Sequence, residues 1–290
     1  MHVFADRYRQ LYNSVPSDPN EISNISDEVS HAMSECRIED LIVTDEELNK
    51  AIDDLKLNKH NGDGSIWSNY LIWAPDQMKE MLILLFCSML SHGHVPVTIN
   101  TTTIMSIPKN TKGDLCDSEN YRGIALSSCI AKVFELVIIS KSRGSIQTSN
   151  LQFAYKKAHS TTMCTLILKE TVSYYINQGS TVYSCLIDAT KAFDRLRHDK
   201  MFHILLQRKV PCPVIRILMD SYKSQLMRTR WNNAYSDCFQ AVNGVKQGGI
   251  FSPLLFTIYM DILLNRLQNQ GIGCRVGNKF VGALAYADDL

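Results

Sequence analysis

The sequence predicts an α+β fold in which helices pack on an antiparallel sheet. Three observations carry this. Short β-branched or apolar stretches at 101–107, 121–126, 226–231, 238–242 and 279–285 have the length and composition of strands. Longer stretches between them carry helix start and stop signals. Two of the apolar runs end in acid: Val182-Tyr183-Ser184-Cys185-Leu186-Ile187 runs into Asp188, and 280–285 runs into Tyr286-Ala287-Asp288-Asp289-Leu290. Burying adjacent unpaired anions is costly, so Asp288 and Asp289 belong at a turn that faces water or cations. An Asp-Asp pair alone would read as a turn or a helix cap. A second strand-end carboxylate, Asp188, favours a shared cation site instead.

In chain order, residues 4–12 make a short helix. Residues 14–40 are polar, with Pro16, Pro19 and several Ser and Asn, and read as a linker. Thr44-Asp45-Glu46-Glu47 is a capping box. It opens a helix to about residue 57 with Leu48, Ile52 and Leu55 on its apolar face. Asn61-Gly62-Asp63-Gly64 is a turn. Pro75 starts the next helix, whose body, 78–90, is apolar nearly all round and reads as core. The strands at 101–107 and 121–126 flank a basic turn, Pro108-Lys109-Asn110-Thr111-Lys112-Gly113-Asp114. Ser127 or Ser128 caps a helix over 129–139, and Ser160 caps one over 161–177 that stops at Gly179.

A strand over 181–188 follows, then helices over 200–209 and 214–222 around Pro211 and Pro213. Residues 226–231 and 238–242 form a strand pair in which Arg228 and Arg230 alternate onto one face, towards phosphates or simply towards water. Gly244-Val245-Lys246-Gln247-Gly248-Gly249 is a flexible loop, poor in side chains, where the backbone can come close to a ligand. It feeds a helix over 253–268, with Ser252 as N-cap and Pro253 in the first turn. Residues 274–276 and 279–285 close the sheet.

Composition bounds the function classes. A chain of 290 residues, 45% hydrophobic and 20% charged, holds one or two soluble domains. Nine cysteines lack paired spacing, which argues against a zinc site or a secreted disulfide scaffold and for a reducing compartment. The N-terminus lacks a signal-peptide core, and no apolar run is long enough to span a bilayer. The expected location is therefore intracellular, nucleus or cytoplasm, neither secreted nor in a membrane. The net charge of +1 hides an asymmetry: residues 1–55 carry 13 acidic and 4 basic side chains, so the rest of the chain is strongly basic. Basic surface suits a nucleic-acid backbone, although an acidic solvated leader before an ordinary domain fits the same count.

Asp188-Ala189-Thr190-Lys191-Ala192-Phe193-Asp194, then the loop 244–249 continuing Ile250-Phe251-Ser252-Pro253-Leu254-Leu255-Phe256, then Tyr286-Ala287-Asp288-Asp289, resemble the three palm motifs of reverse transcriptases in their usual order. The detailed wording resembles that of the non-LTR, LINE-like branch. The resemblance covers about residues 45 to 290 and departs from the family at Gly249 and Ile250, where Cys-Pro is commoner. It implies a reverse-transcriptase fingers and palm fold, with residues 1–57 an acidic leader and helix and 58–290 the polymerase. The chain ends at Leu290, whereas in the family the return strand, primer grip and thumb follow. The thumb is accordingly absent from the expected fold.

The resemblance implies RNA-templated DNA synthesis by attack of a primer 3′-hydroxyl on a dNTP. Asp188, Asp288 and Asp289 are then the catalytic and metal-binding carboxylates for two Mg²⁺ ions, with Mn²⁺ as a substitute, Asp289 being the weaker ligand or an electrostatic support. Lys109, Lys112 and Arg122 would neutralise the triphosphate, against the alternative of a solvated hairpin tip. Phe193 would lie under the sugar and exclude a ribose 2′-hydroxyl, against the alternative of a core Phe; Asp194 would brace its turn. Gln247 and Gly248 would lie over the templating base and the nucleotide. Gln152-Phe153-Ala154-Tyr155-Lys156-Lys157 loosely resembles the family's Q-x-G-F segment. It would bring Lys156 and Lys157 to the nucleic acid, as would Arg228 and Arg230. The partners are an RNA template, a DNA primer and dNTPs, with no membrane; the oligomeric state is not readable. Two rivals stand beside this: another two-metal phosphoryl-transfer enzyme such as a nuclease, which the basic hairpin and glycine loop disfavour, and an inactive truncated fragment with residual nucleic-acid binding. Weak binding and little primer extension are expected of the chain alone.

Overall fold

Capping and β-branched chemistry place most elements where local sequence asks for them. The computed structural model describes residues 2–13, 15, 16, 18–35, 41–62 and 66–290. Part of the turn at 61–64 lies outside these. The chain divides into two compact units, the first formed by Met1–Ser145 and Phe193–Ser252, the second by Ile146–Ala192 and Pro253–Leu290. Residues 1–57 thus belong to the first unit, and the division expected at 57/58 coincides with neither unit boundary.

The first unit opens with α1 (His2–Leu11) and α2 (Pro19–Glu35). The second of these corrects the expected linker. Helix α2 buries only Val29, and charge holds it to α9 (His198–Gln207) and its N-cap: Glu21 pairs with Lys200 at 2.7 Å and with Arg197 at 2.5 Å, while Glu28 lies 3.3 Å from His203, a pair that is ionic only when the histidine is protonated. Local composition could not show such pairing. Helix α3 (Asp45–Asp53) has the predicted capping box, with Thr44 Oγ1 accepting from the Glu47 amide at 3.2 Å and Glu47 Oε2 from the Thr44 amide at 3.1 Å. Short helices α4 (Ser68–Ile72) and α6 (Val97–Asn100) escaped the sequence reading. Helix α5 (Asp76–His92) is not buried all round: Leu82, Phe86, Met89 and Leu90 face the core, while Met81 and Leu84 are exposed. Helix α7 (Cys129–Ser142) is capped by Ser128, which accepts from the Ala131 amide at 3.0 Å.

The sheet of this unit runs β2-β1-β3-β4, with β5 also on β3, where β1 is Thr102–Pro108, β2 Tyr121–Leu126, β3 Leu226–Trp231, β4 Ala234–Tyr235 and β5 Phe239–Gln240. Strands β1 and β2 form the expected hairpin, Ile107 opposite Arg122. The β1–β3 pair is parallel, so the sheet is mixed rather than wholly antiparallel. Tyr8 and Tyr12 pack over it against Ile104, Met227, Phe239 and Ala241. Helix α10 (Cys212–Ser224) follows α9 as expected. Cys212 is disulfide-bonded, which the cysteine spacing did not anticipate.

The second unit holds α8 (Thr161–Asn177) and the body of α11 (Ser252–Asn269). Its core is Leu151, Leu264, Phe280, Ala283 and Ala285. Strands β6 (Arg275–Val276) and β7 (Lys279–Phe280) make a separate two-stranded sheet instead of closing the larger one. The strand expected over 181–188 is another correction. Only Asp188 makes a bridge; Tyr183 and Leu186 are exposed. An apolar run forms a strand only when a neighbour offers hydrogen bonds, and here the partner backbone reaches only its last residues. Among the described residues, no helix is long and apolar enough to cross a membrane.

Candidate active site

The second unit brings Asp188 to the Asp288-Asp289 turn. Tyr286 and Asp289 exchange backbone hydrogen bonds of 2.9 and 3.2 Å, closing a two-residue hairpin loop of Ala287 and Asp288. Ala287 sits at φ +58°, a left-handed conformation that costs an L-residue about 1–2 kcal/mol. The chain leaving this turn pairs with the end of the 181–188 run: the Ile187 amide donates to Leu290 O at 2.8 Å and the Leu290 amide to Ile187 O at 2.9 Å. The Ala189 amide donates to Asp288 O at 3.4 Å.

This register makes Asp188 and Asp289 an antiparallel pair without hydrogen bonds between them. Such pairs are the closest across a ladder, with Cα atoms roughly 4.5 Å apart and side chains on one face. The residue directly opposite Asp188 is therefore Asp289, which the sequence reading ranked as the lesser ligand, and Asp288 occupies the turn. Both paired carboxylates are exposed. Like charges opposed in this way repel, and a divalent cation between them removes the repulsion. Among the described residues, no three His, Cys, Asp or Glu gather into a metal-binding group. Two carboxylates nevertheless fit Mg²⁺, which keeps several waters and takes its other ligands from substrate phosphates.

The turn is gripped from behind. Gln152, fully buried, accepts from the Ala287 amide through Oε1 at 3.0 Å and donates from Nε2 to Ala287 O at 3.2 Å. No signal in the sequence marked this residue's amide for the turn. Burial and, behind it, the charge of Asp288 raise the Tyr155 phenol above its ordinary range. Lys156 points inward, its amine on Thr148 O at 3.2 Å and Ser149 O at 2.5 Å. Burial lowers its basicity and the Asp261 carboxylate opposes this. Lys157 is exposed.

The first unit carries the remaining candidates. On the β1–β2 hairpin, Lys112 and Arg122 are exposed, and Lys109 donates from Nζ to Glu119 O at 2.9 Å. Arg228 and Arg230 share a face, as their alternation predicts. Both guanidinium groups lie over the Tyr235 ring, 4.4 and 5.6 Å from its centroid. Arg228 Nε also donates to Thr103 Oγ1 at 3.3 Å, and Arg230 to Asn232 O and Gly62 O, each at 2.9 Å. These contacts tie β3 to its neighbours.

The glycine loop is braced rather than flexible. Gln247 Nε2 donates to both oxygens of Asp194, at 2.9 and 2.8 Å, and the buried Tyr12 hydroxyl donates to the same carboxylate. Burial, then the Asp194 charge, raises the Tyr12 phenol well above its ordinary value. The Val242 and Asn243 amides donate to Tyr12 O at 3.1 and 3.0 Å, and the Val245 amide to Phe193 O at 2.8 Å, which sets half-buried Phe193 beside the loop. Gly244 needs its φ of +86°: a Cβ there would meet Asp194 O at 2.5 Å. Gly248, at φ +111°, lies against Ala125 O, while the Ala125 amide donates to Gln247 O at 2.7 Å. Glu135 Oε2 accepts from the Ile250 and Phe251 amides at 2.7 and 3.1 Å. Buried Lys246 faces Glu135; burial lowers its basicity and the Glu135 charge opposes that.

Comparison with known proteins follows the same motifs. Residues 107–290 match the family described as "Reverse transcriptase (RNA-dependent DNA polymerase)". The chain is 26% identical to the retrovirus-related Pol polyprotein of the type-2 retrotransposable element R2DM of Drosophila melanogaster, over 73% of this chain and 19% of that protein. It is 28% identical to the corresponding type-1 R2 polyprotein of Popillia japonica, over 69% of this chain and 28% of the relative. With the RNA-directed DNA polymerase of the mobile element jockey from Drosophila funebris it shares 24% identity over 99% of this chain and 31% of the relative. The chain thus spans less than a third of the length of these relatives.

Proposed function

We propose, from the premise that this chain belongs to the reverse transcriptase family, that it carries the nucleotidyl-transfer centre of a non-LTR retrotransposon polymerase. Its reaction is RNA-directed addition of dNTPs to a primer 3′-hydroxyl. The observation that carries this is the Asp188/Asp289 cross-strand pair at the tight turn. Asp188 and Asp289, with Asp288 beside them, hold the divalent ions, two Mg²⁺ with Mn²⁺ as substitute. Bound there, such ions lower the pKa of the attacking hydroxyl and neutralise the departing pyrophosphate.

The chain's own groups bind and orient. Lys109, Lys112 and Arg122 take the triphosphate, Arg122 by its bidentate fork. Phe193 supports the sugar and excludes a 2′-hydroxyl; Gln247 and Gly248 face the base pair being formed. Lys157 meets the nucleic-acid backbone directly, and Lys156, Arg228 and Arg230 add positive charge from positions where they already hold the protein's own groups. RNA template, DNA primer and dNTPs are the partners, in nucleus or cytoplasm.

Single-nucleotide incorporation on a primed RNA template tests the proposal. Removing a metal carboxylate gives up several kcal/mol, on the order of a thousandfold in rate. Incorporation that requires a divalent ion and collapses to that extent in Asp188→Asn supports it; incorporation indifferent to Asp188→Asn contradicts it. One observation favours a second reading, nucleic-acid binding without turnover: Tyr183 and Leu186 are exposed on the arm that carries Asp188, so that arm is held only at its end. Tight binding of primed template with no incorporation under either ion would favour that reading.

A further inference from the structure

The turn at Ala287 poses a chemical problem that one side chain solves. Ala287 is buried, 8% exposed, and left-handed. As a central residue of a two-residue loop, it has no ladder partner for its amide or its carbonyl. Leaving either unpaired would cost about 1–3 kcal/mol. Among neutral side chains, a primary amide presents a donor and an acceptor on one rigid plane. Gln152 applies both to this residue, at 3.0 Å to the amide and 3.2 Å to the carbonyl.

Gln152 is itself fixed. It is fully buried, and its Oε1 also accepts from the Ala154 amide at 3.0 Å. Its backbone runs parallel to Ala285, bridged by the Phe153 amide on Ala285 O and the Ala285 amide on Leu151 O, each at 2.8 Å. The same few residues therefore anchor the strand entering the turn and the strained residue at its apex. The next two residues are Asp288 and Asp289.

We propose that Gln152 is the positioning residue of the carboxylate site: by holding both backbone groups of Ala287, it sets where Asp288 and Asp289 present their carboxylates opposite Asp188. This rests on the reading of Asp188 and Asp289 as metal carboxylates. Residues that orient metal ligands cost about 10–100-fold in metal affinity when removed.

The test uses the purified chain and Mn²⁺ as probe, with affinity read by electron paramagnetic resonance and the Ala287 amide followed by hydrogen exchange. Asp188→Asn reports on the underlying site reading: if the wild-type chain binds Mn²⁺ no better than Asp188→Asn, that reading fails, and the exchange data still decide the clamp. Gln152→Ala, folded by circular dichroism, is expected to weaken Mn²⁺ about tenfold or more and to speed exchange at Ala287. Where Gln152→Ala does not fold, Gln152→Met, which keeps roughly the volume but loses both the donor and the acceptor, carries the same expectation. Tyr175→Phe is the control for simple loss of stability: it removes hydrogen bonds to the Arg275 backbone elsewhere in this unit and should leave Mn²⁺ affinity unchanged. Wild-type Mn²⁺ affinity and unchanged Ala287 exchange in a folded Gln152 variant would overturn the proposal, as would an equal loss of Mn²⁺ affinity in Tyr175→Phe.

Discussion

The glycine loop of the first unit and the aspartate turn of the second are both short segments at left-handed backbone positions, yet they are held in different ways. The loop is fixed by polar groups converging on it: Asp194, itself held by the Tyr12 hydroxyl, on Gln247, the Ala125 amide on Gln247 O, and Glu135 on the Ile250 and Phe251 amides. The turn rests on one buried side chain, Gln152, on the backbone of residues 151–153 that pairs with Ala285, and on a neighbour that reaches it only through Ile187 and Ala189. Buried hydrogen bonds are strong and costly to break, so, each within its own unit, the loop is the more preorganised segment and the turn the more yielding one. Segments with few buried contacts open most easily, and the carboxylate side is where added ligands should order the protein most.

Substitutions can break this contrast. The largest effect on stability is expected from Gly244→Ala, where a Cβ would meet Asp194 O at 2.5 Å and φ is +86°. Strain and overlap together should cost about 3 kcal/mol or more, read as a fall in the denaturation midpoint of the first unit. Tyr12→Phe deletes one donor to Asp194 and should cost about 1–3 kcal/mol, with a weaker dNTP affinity because Gln247 loses its fixed partner. A smaller effect, or none on dNTP affinity, would mean that Asp194 holds Gln247 without help from the N-terminal segment.

Alkaline pH sharpens the same contrast. Burial raises the phenols of Tyr12, Tyr222 and Tyr8, all in the first unit, above the ordinary 10.0. A folded pKa above the unfolded one means that the folded state keeps its proton while the unfolded chain loses it. That stabilisation is complete below pH 10 and is lost as pH rises beyond it. Lys246 has the opposite sign: burial lowers its folded pKa below 10.5, so its contribution improves as pH climbs towards that value. Urea titrations between pH 9 and 11 should show a net fall dominated by the tyrosines, and Tyr12→Phe should flatten it.

The smallest effect belongs to α2. Its ion pairs with Arg197 and Lys200 are partly exposed, so Glu21→Gln should lower the denaturation midpoint only slightly, and less as salt is added. A loss that salt does not reduce would mean that α2 docks by packing.

How much was legible follows from range. The β1–β2 hairpin, the capping box at Thr44 and the Ser128 and Ser160 caps were readable because their causes lie within a few residues. The three motifs were readable because their residue types and order are specific. The braces were not. Tyr12 carries no local signature, and the segment that begins at Gln152 gave no sign of its grip on the turn, since each acts on a backbone or carboxylate that only folding brings near. Helix α2 was missed because polar residues that pair with distant cations look like a linker. Arg228 and Arg230 were placed on a common face, but the Tyr235 ring beneath them could not be foreseen.

The central claim is that Asp188 and Asp289, opposed across the ladder, form one cation site. A double-mutant cycle read by Mn²⁺ affinity tests it directly, with Asp188→Asn, Asp289→Asn and the pair together. If the two carboxylates share an ion, each single change should weaken binding by at least about tenfold and the double change should add little to either, because the ligands of one site couple. Strictly additive losses, or an Asp289→Asn protein that binds Mn²⁺ as tightly as the wild-type chain, would contradict it.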